Sequence, residues 1–203
     1  MDTEFFLQCL KYIDLTSQKK TLVEQYLPVF SALGGVATGF LINKLADVFK
    51  NRTENATKKI VIRQEVERIQ GESTTALRGA VSILQSCARN SRPQGFFLPL
   101  KIPTYCIDEF FVGLCHKYTK NERHNMFTIM KKVETVTKAI NELVDEQPED
   151  LNHIRNMTLN IFSSAEILYS YCSAFLEDKS VDIERSPLDT LKTLNIDTLN
   201  LKF

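Results

Sequence analysis

Three histidines, His116, His124 and His153, and five cysteines, Cys9, Cys87, Cys106, Cys115 and Cys172, are the residues with which this chain could do metal or nucleophilic chemistry. Cys106, Cys115, His116 and His124 lie close enough in sequence to raise a zinc site. Their spacing does not fit one, because structural zinc sites use short C-x-x-C-like or H-x-x-x-H-like steps. A cysteine nucleophile needs a histidine and a third group that orients it. Cys115 and His116 do not make that pair, since adjacent helical residues point about 100° apart. Glu65, Glu67, Glu72, Glu122 and Glu134 read as ordinary exposed helix carboxylates. No E-x-x-H helix pair, glycine-rich phosphate loop or G-x-S-x-G elbow occurs in the chain; these are the spacings that di-metal bundles, nucleotide sites and hydrolases require. The expectation is a protein that is not an enzyme, with no catalytic, cofactor-binding or metal-binding residue, no cofactor and no small-molecule substrate.

Composition narrows the partners. Lys plus Arg and Asp plus Glu both number 25, so the net charge is zero. A dedicated nucleic-acid binder carries a strong basic excess, and no nucleic-acid partner is expected. The cysteines are odd in number and scattered, which fits reduced thiols rather than a disulfide framework.

The elements that would position any site begin with an uncharged run. Residues 26–42, from Tyr26 to Ile42, carry no charge in a chain that is 25% charged. As a helix this run rises roughly 26 Å, against a hydrocarbon core of about 30 Å. Leu45, Ala46, Val48 and Phe49 lengthen one face, and Lys44 can snorkel to the headgroups. Ser31, Gly35 and Gly39 step by four along one face. In lipid, small residues at that spacing let two helices pack closely. The alternative is a buried helix, or two short ones, inside a soluble domain. A cleaved signal peptide fits poorly, because Asp2, Glu4, Asp14 and Glu24 precede the run where a short basic start belongs. Lys44, Lys50, Arg52, Lys58, Lys59 and Arg63 follow it, against Lys11, Lys19 and Lys20 before it. That bias predicts a cytoplasmic C-terminal part. The basic run either holds anionic headgroups or is a solvated helix face.

The rest of the chain reads as helix. Phe5, Phe6, Cys9, Leu10 and Ile13 give the first fifteen residues a short amphipathic helix, for the membrane interface or for the helical core. Polar residues 16–25 lead to Pro28, which suits a first helical turn. Ile62, Val66, Ile69, Ser73, Ala76, Ala80, Ile83 and Cys87 alternate steps of three and four, a heptad stripe. Leu77, Val81 and Leu84 widen it into a bundle face, and Gly71 suggests a bend. Asn90 to Gly95 breaks the helix. Pro99 and Pro103 keep Phe96–Pro103 extended. A shorter helix is expected from about Tyr105 to Tyr118, with Ile107, Phe110, Phe111, Leu114 and Cys115 inward. Thr119 to Glu122 spells a capping box, opening a helix with Met126, Ile129, Val133, Val136, Ile140 and Leu143 on one stripe. A last long helix carries Leu151, Ile154, Thr158, Ile161, Ala165, Leu168, Cys172 and Phe175 inward. Leu194, Ile196, Leu199, Leu201 and Phe203 are spaced apolar residues in the tail, which reads as a strand edge, a docking peptide or a chain end packed on its own domain.

The predicted fold class is all-α: a single transmembrane helix followed by a bundle of three long amphipathic helices and one short helix. The expected division is 1–25, an N-terminal amphipathic segment; 26–49, the transmembrane helix and its juxtamembrane end; 50–185, a cytoplasmic bundle; and 186–203, a tail.

Leu27-Pro28, Gly34-Gly35, Gly39-Phe-Leu-Ile-Asn-Lys-Leu45, the basic run and Arg63-Gln-Glu-Val-Glu67 together resemble a loosely related set of small, uncharacterised bacterial membrane-anchored proteins. Ile102-Pro-Thr-Tyr-Cys-Ile-Asp108 and Val133-Glu-x-Val-x-Lys-Ala-Ile-Asn141 are similar to their connector and one of their helices. The resemblance implies one N-terminal span, a cytoplasmic helical domain and, for some members, company with phage-defence systems; it supplies no catalytic residue. The leading expectation is a non-enzymatic, membrane-anchored helical interaction module at the inner membrane, whose partners are the bilayer and either its own copies or another protein. One alternative is a membrane-acting effector that oligomerises through Ser31, Gly35 and Gly39. Another is a soluble helical adaptor.

Overall fold

One helix, α1, runs without a break from Leu22 to Ala88. The uncharged run and the heptad stripe, separate signals in the sequence, are successive parts of it. The structure is a computed structural model that describes residues 7, 8, 11, 22–146, 148–179, 181, 187–194 and 196. Leu7, Gln8 and Lys11 are helical, while Phe5, Phe6, Cys9, Leu10 and Ile13 of the expected N-terminal helix lie outside the described residues. Helix α1 starts at Leu22 rather than at Pro28. Pro28 removes one backbone donor in the second turn and the helix continues through it. It also continues through Gly71, where the sequence suggested a bend.

The chain divides into two compact units, Met1–Glu54 and Asn55–Phe203. In the first, every residue from Ser31 to Glu54 is solvent-exposed. Side-chain contacts there include Thr53 Oγ1 donating to Phe49 O at 3.0 Å and Lys50 beside Glu54 at 4.0 Å. In the second unit, α1 from Asn55 onward is followed by α2 (Tyr105–Leu114), a 3-10 turn (Cys115–Lys117), α3 (Lys120–Glu146), α4 (Leu151–Leu176) and α5 (Pro187–Thr193). No strand occurs among the described residues.

Contacts fix the topology of this unit. Arg63 of α1 donates to Leu176 O, and Gln70 Nε2 donates to Ser173 Oγ at 2.8 Å, so α4 runs antiparallel to α1. Asn125 Nδ2 donates to Lys179 O at 3.3 Å, and His153 meets Glu146 at 3.4 Å, so α3 and α4 are antiparallel too. The connector from Ser91 to Thr104 returns along α1. Leu98 packs at Gly79, Pro103 O accepts from Arg68, and Ile107 N meets Glu65. Connector and α2 together fill the place that a fourth helix takes in an ordinary bundle.

The stripes meet in one core. All eight expected α1 positions, Ile62 through Cys87, are buried, as are Met126, Ile129, Val133, Val136, Ile140 and Leu143 of α3. On α4, Ile154, Thr158, Ile161, Ala165, Leu168, Cys172 and Phe175 are buried, with Leu151 at the margin. Each such large side chain contributes about 1.5–3 kcal/mol. The capping box forms: Glu122 N donates to Thr119 Oγ1 at 3.2 Å, and Thr119 N donates to Glu122 Oε2 at 2.5 Å. α1 and α4 both close with a left-handed residue, Asn90 and Asp178, each at φ 54°. Ser91 N donates to Ser86 O and Lys179 N to Ala174 O, which satisfies carbonyls the helix ends leave open.

The tail packs on its own domain, one of the readings the sequence left open. Its described part, Pro187–Thr193, is helix and not strand. Leu191 is fully buried, Leu194 and Ile196 pack on the core, and Thr190 Oγ1 donates to Glu166 Oε1 at 3.0 Å. Leu191 and Leu194 follow a helical step of three that the even spacing farther along concealed. Leu199, Leu201 and Phe203 lie outside the described residues.

Candidate functional site

The stretch that sets this chain apart is the exposed apolar part of α1. Leu33, Phe40, Leu41, Ile42, Leu45 and Phe49 are each more than half exposed, and Val36 is 73% exposed. Isolated apolar residues on a surface need no explanation, but a contiguous cylinder of them does. Among the described residues this is the one helix long and apolar enough to cross a membrane. None of its apolar window is buried among the described residues.

Ser31, Gly35 and Gly39 lie on this helix as the spacing required. Two steps of four residues turn about 80° around the axis, so the three share a face. An added Cβ at Gly34, Gly35 or Gly39 would meet no atom within 4 Å. No packing among the described residues explains three glycines in a helix, where each costs about 1 kcal/mol relative to alanine in water.

The residues with chemical potential are dispersed. His116 and His124 are exposed, with His124 edge-on to the Tyr171 ring at 6.1 Å. Cys106 and Cys115 are half-buried. Among the described residues no group of three His, Cys, Asp or Glu side chains could hold a metal ion. Burial pushes the Cys172 thiol far up, and burial with Glu65 and Glu109 nearby raises Cys106. Cys87 is raised by burial and partly offset by Arg155. Thiols raised in this way are poor nucleophiles.

Two residues that hold the bundle together escaped the sequence reading. Glu65 is not an exposed carboxylate: it is 7% exposed. Its Oε2 accepts from Ile107 N at 2.6 Å and its Oε1 from Arg68 at 3.3 Å. Its place three residues after Ile62, on the flank of the stripe, was the available signal. At Gly79, a Cβ would lie 2.4 Å from Phe97 O and 2.8 Å from Leu98 Cδ2. Only glycine lets the connector lie this close to α1.

Around the turn after α2, rings of Phe111, Tyr118, Phe127 and Phe175 pack at centroid distances of 5.4–6.0 Å. Lys59 Nζ lies 4.5 Å from the Tyr118 centroid and donates to Lys117 O at 2.8 Å. The buried Tyr118 hydroxyl has no hydrogen-bond partner among the described residues. Burial, with Glu122 adding to it, pushes that hydroxyl up to about 12. A separate open groove of about 690 Å³ lies between the connector and α3, floored by Ile102, Met130 and Val133 and edged by Lys101, Asp108 and Glu134. Its charges alternate in sign, so it selects no obvious ligand.

No protein-family model, no curated protein and no solved structure matches the chain.

Proposed function

We propose that this chain is a single-pass protein of the inner membrane, whose helical bundle lies on the cytoplasmic side and acts as a non-enzymatic interaction module. The observation that carries this reading is the wholly exposed apolar helix from Ser31 to Phe49. In water such a surface is unfavourable by about 25 cal/mol for each Å² of apolar area; in a bilayer the term vanishes. The soluble-adaptor alternative needs that surface buried, and the described residues do not bury it. Orientation follows from the basic residues after the run, which outnumber those before it. The partners are the bilayer and either copies of the chain or another protein that meets the helix surfaces.

A second reading, a membrane-acting effector that assembles through its span, is favoured by one observation. Gly35 and Gly39 have open space where their side chains would be, which suits close approach of a second helix.

Fractionation of cells expressing the full chain, followed by a carbonate wash, tests the leading reading. The chain is expected in the washed inner membrane, and deletion of 26–42 should release it. Recovery of the intact chain as a carbonate-soluble protein would overturn the proposal.

A further inference from the structure

Surface charge on the unit Asn55–Phe203 is divided between its ends. The chain enters at Asn55, and Lys58, Lys59 and Arg63 stand beside that entry. The turn after α2 and the start of α3 add Lys117, Lys120 and Arg123, with His116 and His124 exposed among them. Contacts join these into one end of the bundle: Lys59 Nζ donates to Lys117 O, Arg123 Nη1 to Tyr118 O at 2.9 Å, and Asn125 to Lys179 O. Two carboxylates there are engaged locally, Glu122 in the capping box and Glu177 with Lys179 at 2.9 Å; Asp178 is exposed. The opposite end carries Glu142, Asp145, Glu146, Glu149 and Asp150 around the α3–α4 turn, with Arg89 and Arg92 closing α1 nearby.

Helix stability does not explain this layout. The macrodipole favours acids at a helix N-terminus and bases at its C-terminus. Along α3, Lys120 and Arg123 come first with Glu122 between them, Glu142, Asp145 and Glu146 come last, and no basic residue occupies the last turn. The basic end also exposes apolar side chains: Ile60 and Phe127 are each 57% exposed and Val112 is 70% exposed. Cations mixed with exposed apolar groups suit the headgroup region of an anionic membrane. Lys58 follows Phe49, the last apolar residue of the exposed helix, by nine positions.

We propose that this end of the bundle is a second membrane contact, which docks on anionic phospholipid headgroups through Lys117 and Lys120, with Val112 and Phe127 against the acyl boundary. The inference rests on the membrane reading above and adds a lipid preference to it. The full chain, reconstituted in nanodiscs of neutral phosphatidylcholine or of a mixture with phosphatidylglycerol, allows a test by amide hydrogen exchange. Exchange across 115–127 should slow in the anionic discs. The slowing should disappear in the double variant Lys117→Glu, Lys120→Glu, whose positions are exposed, and persist in Arg92→Glu at the other end. Equal exchange in both lipids, or slowing that survives the double variant, overturns the proposal. If the chain enters neither disc, the anchor reading falls and docking is read by flotation of the full chain with vesicles of the same two compositions. Binding to anionic vesicles alone, weakened about fivefold per lysine removed, then supports it; absence of that binding overturns it.

Discussion

The buried carboxylate of Glu65 on α1 accepts the backbone N–H of Ile107 on α2 at 2.6 Å. Ile107 stands in the first turn of α2, where backbone donors have no partner within the helix. Thr104, which precedes that helix, makes no side-chain cap and donates instead to Asp108 at 2.8 Å. A side chain 42 positions away in sequence therefore caps α2. Glu65→Ala should destabilise the protein by about 1–3 kcal/mol, the cost of an orphaned buried donor. Glu65→Gln, which keeps an acceptor oxygen, should lose less. Urea denaturation followed by circular dichroism measures both, and equal losses for the two variants would contradict the capping role.

Two glycines of α1 should respond in opposite directions to the same change. Gly79→Ala places a Cβ against the Phe97 carbonyl and should cost about 1–3 kcal/mol as an overpacked contact. Gly71→Ala meets open space and should gain about 0.5–1 kcal/mol from helix propensity. Melting temperatures of the two variants, measured side by side, decide this; a gain at Gly79 would mean that the connector does not lie on α1.

The Tyr118 hydroxyl gives the bundle an alkaline limit. Its folded-state value, pushed up to about 12, lies above the ordinary tyrosine value of 10. Between those values the unfolded chain has released the proton and the folded one retains it, so stability falls as pH rises from about 10 to about 12. Below about 10 the group has no effect on the pH dependence. Tyr118→Phe removes a buried hydroxyl without a partner among the described residues and should flatten that limb with little loss at neutral pH. Unfolding midpoints of parent and variant across the alkaline range provide the check.

In the span, Gly35→Leu and Gly39→Leu should weaken self-association without releasing the chain from the membrane. Leucine favours insertion, yet its bulk keeps two backbones apart where glycine lets them touch. Crosslinking or energy transfer on the chain in a bilayer reads association directly. Association equal to the parent in both variants would remove the support for the effector reading.

The helices were legible wherever a stripe repeated over several turns. Ile62 through Cys87 on α1 and Met126 through Leu143 on α3 are buried as their spacing required, because a step of three and four puts residues on one face whatever they touch. The Thr119–Glu122 box was legible because both partners lie within one turn. Glu65 and Gly79 were not, since their roles depend on a connector that meets α1 from far along the chain, and no local pattern encodes that. The end of the exposed helix was illegible for a different reason. The charges after Ile42 end the uncharged run, and the backbone of α1 continues through them.

The pairing of α1 with α4 also sets an order of events during synthesis. Arg63 and Leu176 meet across 113 positions of sequence. At about 5–20 residues per second on the ribosome, roughly 6–23 s separate the emergence of the two. Through that interval the α1 stripe has no α4 to cover it. α3 and α4, joined by a short turn, have the least loop to close, so their hairpin is the natural first unit and α1 seats on it afterwards. A chain truncated before α4 would leave the stripe from Ile62 to Cys87 open and become a substrate for chaperones or proteases.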